Sequence, residues 1–590
     1  MRRRIAFACA ALAMATTISG TTALAGGNGG FKTSRPSMLT PIKPGVTVTP
    51  LLTVGDVFGD SGFRFEAIPD GISLRTRGQG RVDLYVNHET SKVPFPFNAA
   101  SPMDSNGQSD FDNSQVSHLI LNRNSAGVLD GSFAIPSSGG FQRFCSNFLA
   151  TAKEGFSRDI LFTNEESPDY VFRQEDSWPP PVGDPDEEEN GVTIAYDIKS
   201  RQYHTVYGMG RFNHENNVAI PGYDDLVVLS GDDTFTSGML TIPPGGPNTD
   251  ATAPAQSQLY SYIASDTDAL LADKGDLWAF VSDNALFTDY YDFTPGSAQS
   301  ITGHFIKVPK NIATGKNPDG SELTSADLGY PAPDGGWQTD LRTTGPAVPI
   351  DGPQWVLEYW SHLNHVFQFV RVEDIAYDKR PGMGNVVYFA DTGRATAGDP
   401  AANKSTNGRI WKMVLDPDDP TQVDSLSILL DGDDSAVQTR GEIHQPDNVE
   451  TTATGLLVTE DPGGNNQFPA NSADPNATTA RLWYVPFSSP TSAEVVAKID
   501  QSEDGKSTDV GPAPTTDPSL GNWGSWETTG IVDASAAFGA GAYLINVQAH
   551  SLWIEKAPGP DTFIDSETVN SDFTYKREGG QLLLIRIPGI

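Results

Sequence analysis

Short apolar runs rich in Val, Ile, Leu, Phe and Tyr recur along this chain, each closed by Gly, Asn, Asp or Glu. Runs of that kind between turn-forming residues predict β-strands, and few stretches hold the apolar spacing of a helix. One unit repeats: a strand ending in acidic or amide residues and then, after a loop, a second strand. The first strands read DLYVNHE (83–89), DILFTNEE (159–166), DLVVLSGDD (225–233), DLWAFVSDN (276–284), NVVYFADT (385–392), GLLVTEDP (455–462) and AYLINVQAH (542–550). Their partners read HLILNR (118–123), GVTIAYDI (191–198), QLYSYIA (258–264), HFIKV (304–308), GRIWKMVLD (408–416), RLWYVPF (481–487) and QLLLIRI (581–587), which makes seven pairs. Such repetition predicts an all-β fold, a β-propeller of up to seven blades with long inter-strand insertions. A β-sandwich or a pair of β-domains shares the short strands. In a propeller the acidic ends of the first strands gather at the central channel.

Stretches 179–190 and 309–354, rich in Pro, Gly and Asp, read as insertions, and 396–407 and 463–480 as loops. No Gly/Ser linker marks a second domain, so 51–590 reads as one domain behind a lead-in at 26–50. The first 25 residues read as a signal peptide. Arg2, Arg3 and Arg4 precede an apolar stretch from Ile5 to Ile18, and Ala23-Leu24-Ala25 forms a small-x-small cleavage site. The expectation is an exported protein, periplasmic or extracellular, and the arginines admit a twin-arginine route. No later apolar run is long enough to span a bilayer, so no membrane anchor is expected after cleavage.

Charge narrows the partners. The chain of 590 residues carries 39 basic against 75 acidic residues, a net charge of −36, which repels a nucleic-acid backbone and suits oxygen-ligand cations such as calcium. Cys9 leaves with the signal peptide, and Cys145 then has no disulfide partner. A lone cysteine is either buried and inert or a thiolate held by a metal.

Carboxylates at apolar strand ends are the candidate ligands, because burying one is costly without a partner or a cation. They are Glu89 and Glu215, each in an Asn-His-Glu triplet; the Glu165-Glu166 pair; and Glu460-Asp461, with Asp447-Asn448 upstream. Arg371 and Glu373 project to one face of an extended chain, where a guanidinium can grip an oxyanion while a carboxylate holds its cation. His550 follows an apolar strand and is either a ligand or a satisfied core residue. His362 and His365 sit in an aromatic run and read as core. Asp434-Ser435-Ala436, Gly505-Lys506-Ser507 and the half calcium loop that starts at Asp500 each lack the rest of their motif.

Taken in order, several strings resemble the PhoX-type alkaline phosphatases and their phytase-like relatives. They are LYVNHE (84–89), Cys145-Ser146 followed by LFTNEE, GRFNHE (210–215), VVLSGDD, QLYSYIA, RVEDIAYD (371–378), VYFADT, GRIWKM, HQPDN (444–448), LLVTEDP, WETTGIVD (526–533) and LINVQAHS (544–551). The likeness runs from about residue 50 to the C-terminus. It implies a six-bladed propeller that hydrolyses phosphate monoesters at a cluster of iron and calcium. It further implies Cys145 as an iron thiolate, Glu215 as a carboxylate shared among metals, Glu373 as a ligand and Arg371 as the phosphate binder. Glu89, Glu165, Glu166, Glu460 and Asp461 follow as further ligands by position. Two departures stand out. Val372 replaces the proline common in the family's Arg-Pro-Glu-Asp, and Ser146 to Ala150 replace its Gly-Gly segment.

The expected activity is a metal-dependent phosphoric monoester hydrolase acting on a small phosphorylated substrate, with Arg371 and Glu373 catalytic and His550 assisting binding. The alternatives are another metal-dependent hydrolase, such as a phosphodiesterase or lactonase, or a non-enzymatic calcium-stabilised envelope protein. Nothing requires an obligate partner, so a monomer is expected.

Overall fold

The computed structural model describes residues 29–91, 113–171, 173, 187–234, 255–333, 337–340, 348–393, 407–433, 441–462, 478–501, 524, 526–555, 563–565 and 576–590. The signal peptide, residues 179–186 of the first insertion, the loops at 396–406 and 463–477, and the motifs at 434–436 and 505–507 lie outside them.

Six antiparallel four-stranded units form the frame of the described part. Blade 1 runs through Pro69–Arg77, Arg81–His88, Gln115–Asn122 and Val128–Ile135. Blade 2 comprises Phe144–Ala150, Ile160–Glu165, Thr193–Asp197 and Gln202–Val206. Blade 3 comprises His214–Ile220, Leu226–Asp232, Leu259–Ala264 and Asp276–Ser282. Blade 4 comprises Val372–Tyr377, Val386–Asp391, Arg409–Leu415 and Gln422–Asp431. Blade 5 comprises Pro446–Thr451, Gly455–Glu460, Arg481–Pro486 and Glu494–Ile499. Blade 6 uses Glu527–Asp533, Ala542–Glu555 and Lys576–Arg586 and takes its outer strand, Thr47–Thr53, from the other end of the chain. The first strand of each blade packs on the first strand of the next, and blade 6 returns to blade 1, which closes a six-bladed β-propeller.

The apolar runs are continuous because both faces of each blade are buried. Val82, Leu84 and Val86 face the core shared with blade 6, while Tyr85 between them faces blade 2. One hydrophobic core fills each of the six gaps between neighbours. Between blades 3 and 4, Phe367, Phe369, Phe389 and Trp411 pack edge to face and tilted, an arrangement worth more than area alone.

Six blades from seven sequence pairs has a simple cause. The pair at 276–308 is no blade. Asp276–Ser282 is the outer strand of blade 3, and Ser300–Lys307 ties it to the outer strand of blade 4. The other six pairs are the second and third strands of their blades. The lead-in is no separate element either: Leu39–Pro41 extends blade 5 and Thr47–Thr53 completes blade 6. Within 309–354 the described residues hold the short helices Lys310–Thr314 and Ser325–Leu328 and the start of the helix Pro353–Leu363. Among the described residues no helix is long and apolar enough to cross a membrane.

Candidate metal centre

Five blades aim side chains at the channel by one rule. The first residue of the inner strand pairs with the last residue of the second strand: Pro69 with His88, Phe144 with Glu165, His214 with Asp232, Val372 with Asp391 and Pro446 with Glu460. The next residue along each inner strand is an acid or thiol: Asp70, Cys145, Glu215, Glu373 and Asp447. The residue just past each second strand adds Glu89, Glu166, Asp233 and Asp461, with Thr392 in blade 4. Blade 6 departs from the register and supplies Glu527 and His550. In blades 1, 3, 4 and 5 a bulge follows the ligand position at once, between Pro69 and Ile72, His214 and Asn217, Val372 and Ile375, and Pro446 and Val449. The extra residue breaks the strand's strict alternation, and bulges are the usual device for re-aiming a side chain.

The tips meet. Ligand atoms of Asp70, Glu89 and Cys145 lie within 4.8 Å of one another; so do those of Cys145, Glu166 and Glu215, of Glu166, Asp233 and Glu373, and of Glu215, Glu373 and Asp447. Each group shares a member with the next, so eight side chains form one continuous cluster. Cys145 Sγ donates to Asp70 Oδ2 at 3.0 Å, and Ser146 Oγ donates to Glu215 Oε1 at 2.6 Å. Gln548 Nε2 donates to Asp70 Oδ2 at 2.9 Å and to Glu89 Oε2 at 3.0 Å.

Arg371 is the guanidinium of the cluster. Its Nε and Nη2 grip both oxygens of Asp233 at 2.7 and 2.8 Å, and Nη2 also lies 2.8 Å from Glu373 Oε1. Arg371 Nη1 is 3.7 Å from Asp461 Oδ2. Asp461 is hydrogen-bonded to Glu527, and His550 sits between Glu527 at 3.6 Å and Glu578 at 3.5 Å. These outer groups are the exposed ones: side-chain exposure is 15% for Arg371, 14% for Asp461, 11% for Glu527 and 23% for His550, against 0% for Asp233. Among the described residues, Arg371, Asp461, Glu527 and His550 thus form a part-exposed rim beside the buried carboxylates. On the far side, a cavity of about 200 Å³ lined by Asn147, Asn216, Asp374 and Asn448 lies beneath the cluster.

Burial first and neighbouring acids second push the carboxyls up. Asp70 reaches about 6 and Glu89 about 7, and Glu166, Glu215, Glu373, Asp447 and Glu527 lie well above the carboxylate range. Burial and the same acids also lift the Cys145 thiol. Burial opposes the charge on His550, but Glu578 and Glu527 outweigh it and hold the imidazole well above its usual value. Crowded buried acids, with Glu215 Oε2 buried and without a donor, form a donor set that a cation would relieve of its mutual repulsion. Oxygen donors fit calcium, and the thiolate adds a softer ligand that fits iron.

Of the residues expected from sequence, Cys145, Glu215, Glu373, Glu89 and Glu166 enter the cluster, Arg371 is bonded to it, and Asp461 and His550 stand on its open rim. Glu460 does not join them. Its oxygens accept from Arg481 Nη2 at 2.7 Å, Arg481 Nε at 2.8 Å, Trp483 Nε1 at 2.8 Å and the His444 backbone at 2.9 Å. Glu165 is likewise held by Arg173, 2.9 Å from each oxygen, and belongs to the blade. His362 bonds Glu358 at 2.6 Å and is core, whereas His365, also expected in the core, is exposed just past the end of the helix. The sequence reading lacks Asp70 and Asp233 of the cluster and Glu527 on its rim, and it holds Asp447 only as a neighbour of other acids. Asp233 ends VVLSGDD and Glu527 stands in WETTGIVD, so both strings carried the signal; Asp70 follows a proline and had none.

No family model and no curated protein matches the chain. Solved structures that it resembles include a glycosyl hydrolase from Bacteroides ovatus, at 8% identity over 80% of this chain and 94% of that one, TM-score 0.25. Another is the NanB sialidase from Streptococcus pneumoniae, at 10% identity over 91% and 71%, TM-score 0.28. A third is a glycoside hydrolase family 43 arabinoxylan arabinofuranohydrolase from Bacillus subtilis, at 10% identity over 88% and 92%, TM-score 0.25. Likeness at those scores carries no inference about chemistry, and the propeller rests on its own strand topology.

Proposed function

We propose that this chain is an exported metal-dependent hydrolase of phosphate monoesters that holds calcium together with iron. One observation carries the reading: a continuous cluster of seven carboxylates and a thiol with a guanidinium on its open side. A phosphate monoester is dianionic and resists attack, so a catalyst must offset that charge, and cations in this cluster would supply the Lewis acidity that does so. Cys145, Asp70 and Glu89 form the end of the cluster that suits iron, and Glu215, Glu373, Asp447, Glu166 and Asp233 the oxygen-rich remainder that suits calcium.

The side chains themselves do three things. Arg371, oriented by Asp233 and Glu373, aligns the phosphoryl oxygens and stabilises charge that spreads over them in the transition state. His550, kept cationic by Glu527 and Glu578, holds the anionic substrate at the rim. The buried hydrogen bonds from Ser146 and Gln548 fix the carboxylates beneath and keep bulk water from them. Elemental analysis combined with an ester panel tests the reading. The expected outcome is iron and calcium in the purified protein, turnover of p-nitrophenyl phosphate, and little turnover of bis-p-nitrophenyl phosphate or a lactone. Preference for the diester or the lactone overturns the monoester reading. Calcium without iron and no turnover leaves an ion-stabilised envelope protein.

A further inference from the structure

Outside the ring, blade 2 carries a second knot of buried acceptors. The ribbon Tyr170–Val171 with Glu188–Glu189 packs against the start of the helix Pro353–Leu363. Glu189, Asn190 and Gln354 are all essentially buried. They are tied together: the Gln354 backbone donates to Glu189 Oε2 at 3.2 Å, and Gln354 Nε2 donates to the backbone oxygens of Ser167 at 2.9 Å and Asn190 at 3.3 Å. Each side chain nevertheless keeps an oxygen with no donor: Glu189 Oε1, Asn190 Oδ1 and Gln354 Oε1. The amide orientations are fixed by their own bonds. Gln354 Nε2 faces two carbonyls, and Asn190 Nδ2 donates to Ser167 Oγ at 3.1 Å, whose proton goes to Asp169 at 3.1 Å. What is left over on all three is therefore acceptor, as a cation requires.

Charge points the same way. Among the described residues no cation bonds the Glu189 carboxylate; Arg211 Nη2 bonds its backbone oxygen instead. Arg173 spans Glu165 and Glu188, while Arg211 and Lys316 both reach Glu322. Among the described residues, the Asp351 carboxylate is held by Ser325, through its backbone and hydroxyl. With Glu189, that makes five carboxylates against three cations among the described residues of one part-buried network. Burial first, then Glu322, push the Glu189 carboxyl well up.

We infer that Glu189, Asn190 and Gln354 bind a second, structural divalent cation of the calcium class, separate from the channel cluster. Buried waters alone could reach the orphan oxygens and the free Nε and Nη1 of Arg211, but would leave the charge deficit in place. The site is independent of what the channel catalyses. Trp355 adjoins Gln354, so it serves as an antenna for terbium, a luminescent calcium surrogate.

The test uses the full chain, stripped with a chelator and titrated with terbium and then with calcium in a calorimeter. Glu215→Gln weakens the channel's contribution and should keep the emission sensitised by Trp355. Glu189→Gln should weaken that binding about tenfold or more, since a carboxylate is the charged ligand of such a site. Gln354→Met is read the same way and guards against a Glu189→Gln chain that does not fold. Two results overturn the inference: no calcium bound by Glu215→Gln, or unchanged emission and calcium uptake in both Glu189→Gln and Gln354→Met. Either means a neutral Glu189 solvated by water.

Discussion

Glu460 and Asp461 are adjacent in sequence and opposite in purpose. Glu460 is the last paired residue of its strand and turns into the blade, where Arg481 and Trp483 take its oxygens. Asp461, one residue on, turns to the channel beside Arg371. Sequence marks both as acids at a strand end, and only the register separates them, which a single residue's shift would reverse. Glu460→Ala should cost about 3–5 kcal/mol in a denaturant melt, as expected when one partner of a buried pair is removed, with metal content unchanged per folded chain. Asp461→Asn should fold as wild type and alter turnover. Glu215→Gln makes a different case. It deletes one of several carboxylates that repel one another, so the metal-free protein should melt higher than wild type, while turnover falls about a hundredfold or more for loss of a charged group at the reacting centre. A lower metal-free melting temperature would show that Glu215 is structural.

At the scale of the element, the second and third strands of each blade were legible because each holds a run of apolar residues. The inner strands were not. HENNVAI, VEDIAY and PDNVET mix Glu, Asn and Asp into fully buried strands, because one side of each lines a polar channel and a bulge interrupts the alternation. A period-based reading has no template for that. Blade edges also carry their own electrostatics. Asp83 of blade 1 receives Arg75 at 3.1 Å, Arg77 at 3.1 Å and His118 at 3.0 Å. Burial alone would raise its carboxyl, but His118, Arg75 and Arg77 outweigh this and hold it below the ordinary 3.8. A depressed acid stabilises the fold above its unfolded value and loses that contribution as pH falls through the folded one. Asp83→Asn should therefore melt below wild type at neutral pH, with the gap closing only below pH 3.8. A gap that stays constant down to strongly acidic pH would mean Asp83 acts by packing.

For the whole molecule, ring closure and the centre depend on each other. The Thr47–Thr53 strand covers the open edge of Lys576–Arg586, and Gln581 fastens the join by accepting from the Met38 backbone at 2.8 Å and donating to Pro36 and Thr53, each at 2.9 Å. Removing residues 29–53 should expose that edge, lower the melting temperature and promote self-association, as unpaired strands do. Chelation should act from the inside. Stripping the wild type should lower its melting temperature and calcium should restore it by mass action, and Glu215→Gln should show a smaller calcium response. Equal responses would place the stabilising ion elsewhere. The propeller and most of the cluster could be read from strings because these recur in order; the blade count could not, because the strand that bridges blades 3 and 4 imitates a blade.

The join between Thr47–Thr53 and Lys576–Arg586 also fixes an order of events. Glu527 and His550 come from blade 6, and Thr47–Thr53 has no neighbour until Lys576–Arg586 has been made. A nascent chain thus holds only an arc of donors, with no enclosed centre to select among ions. An enclosed centre exists only once the circle is shut, so any ion it selects would be drawn from the medium in which that happens.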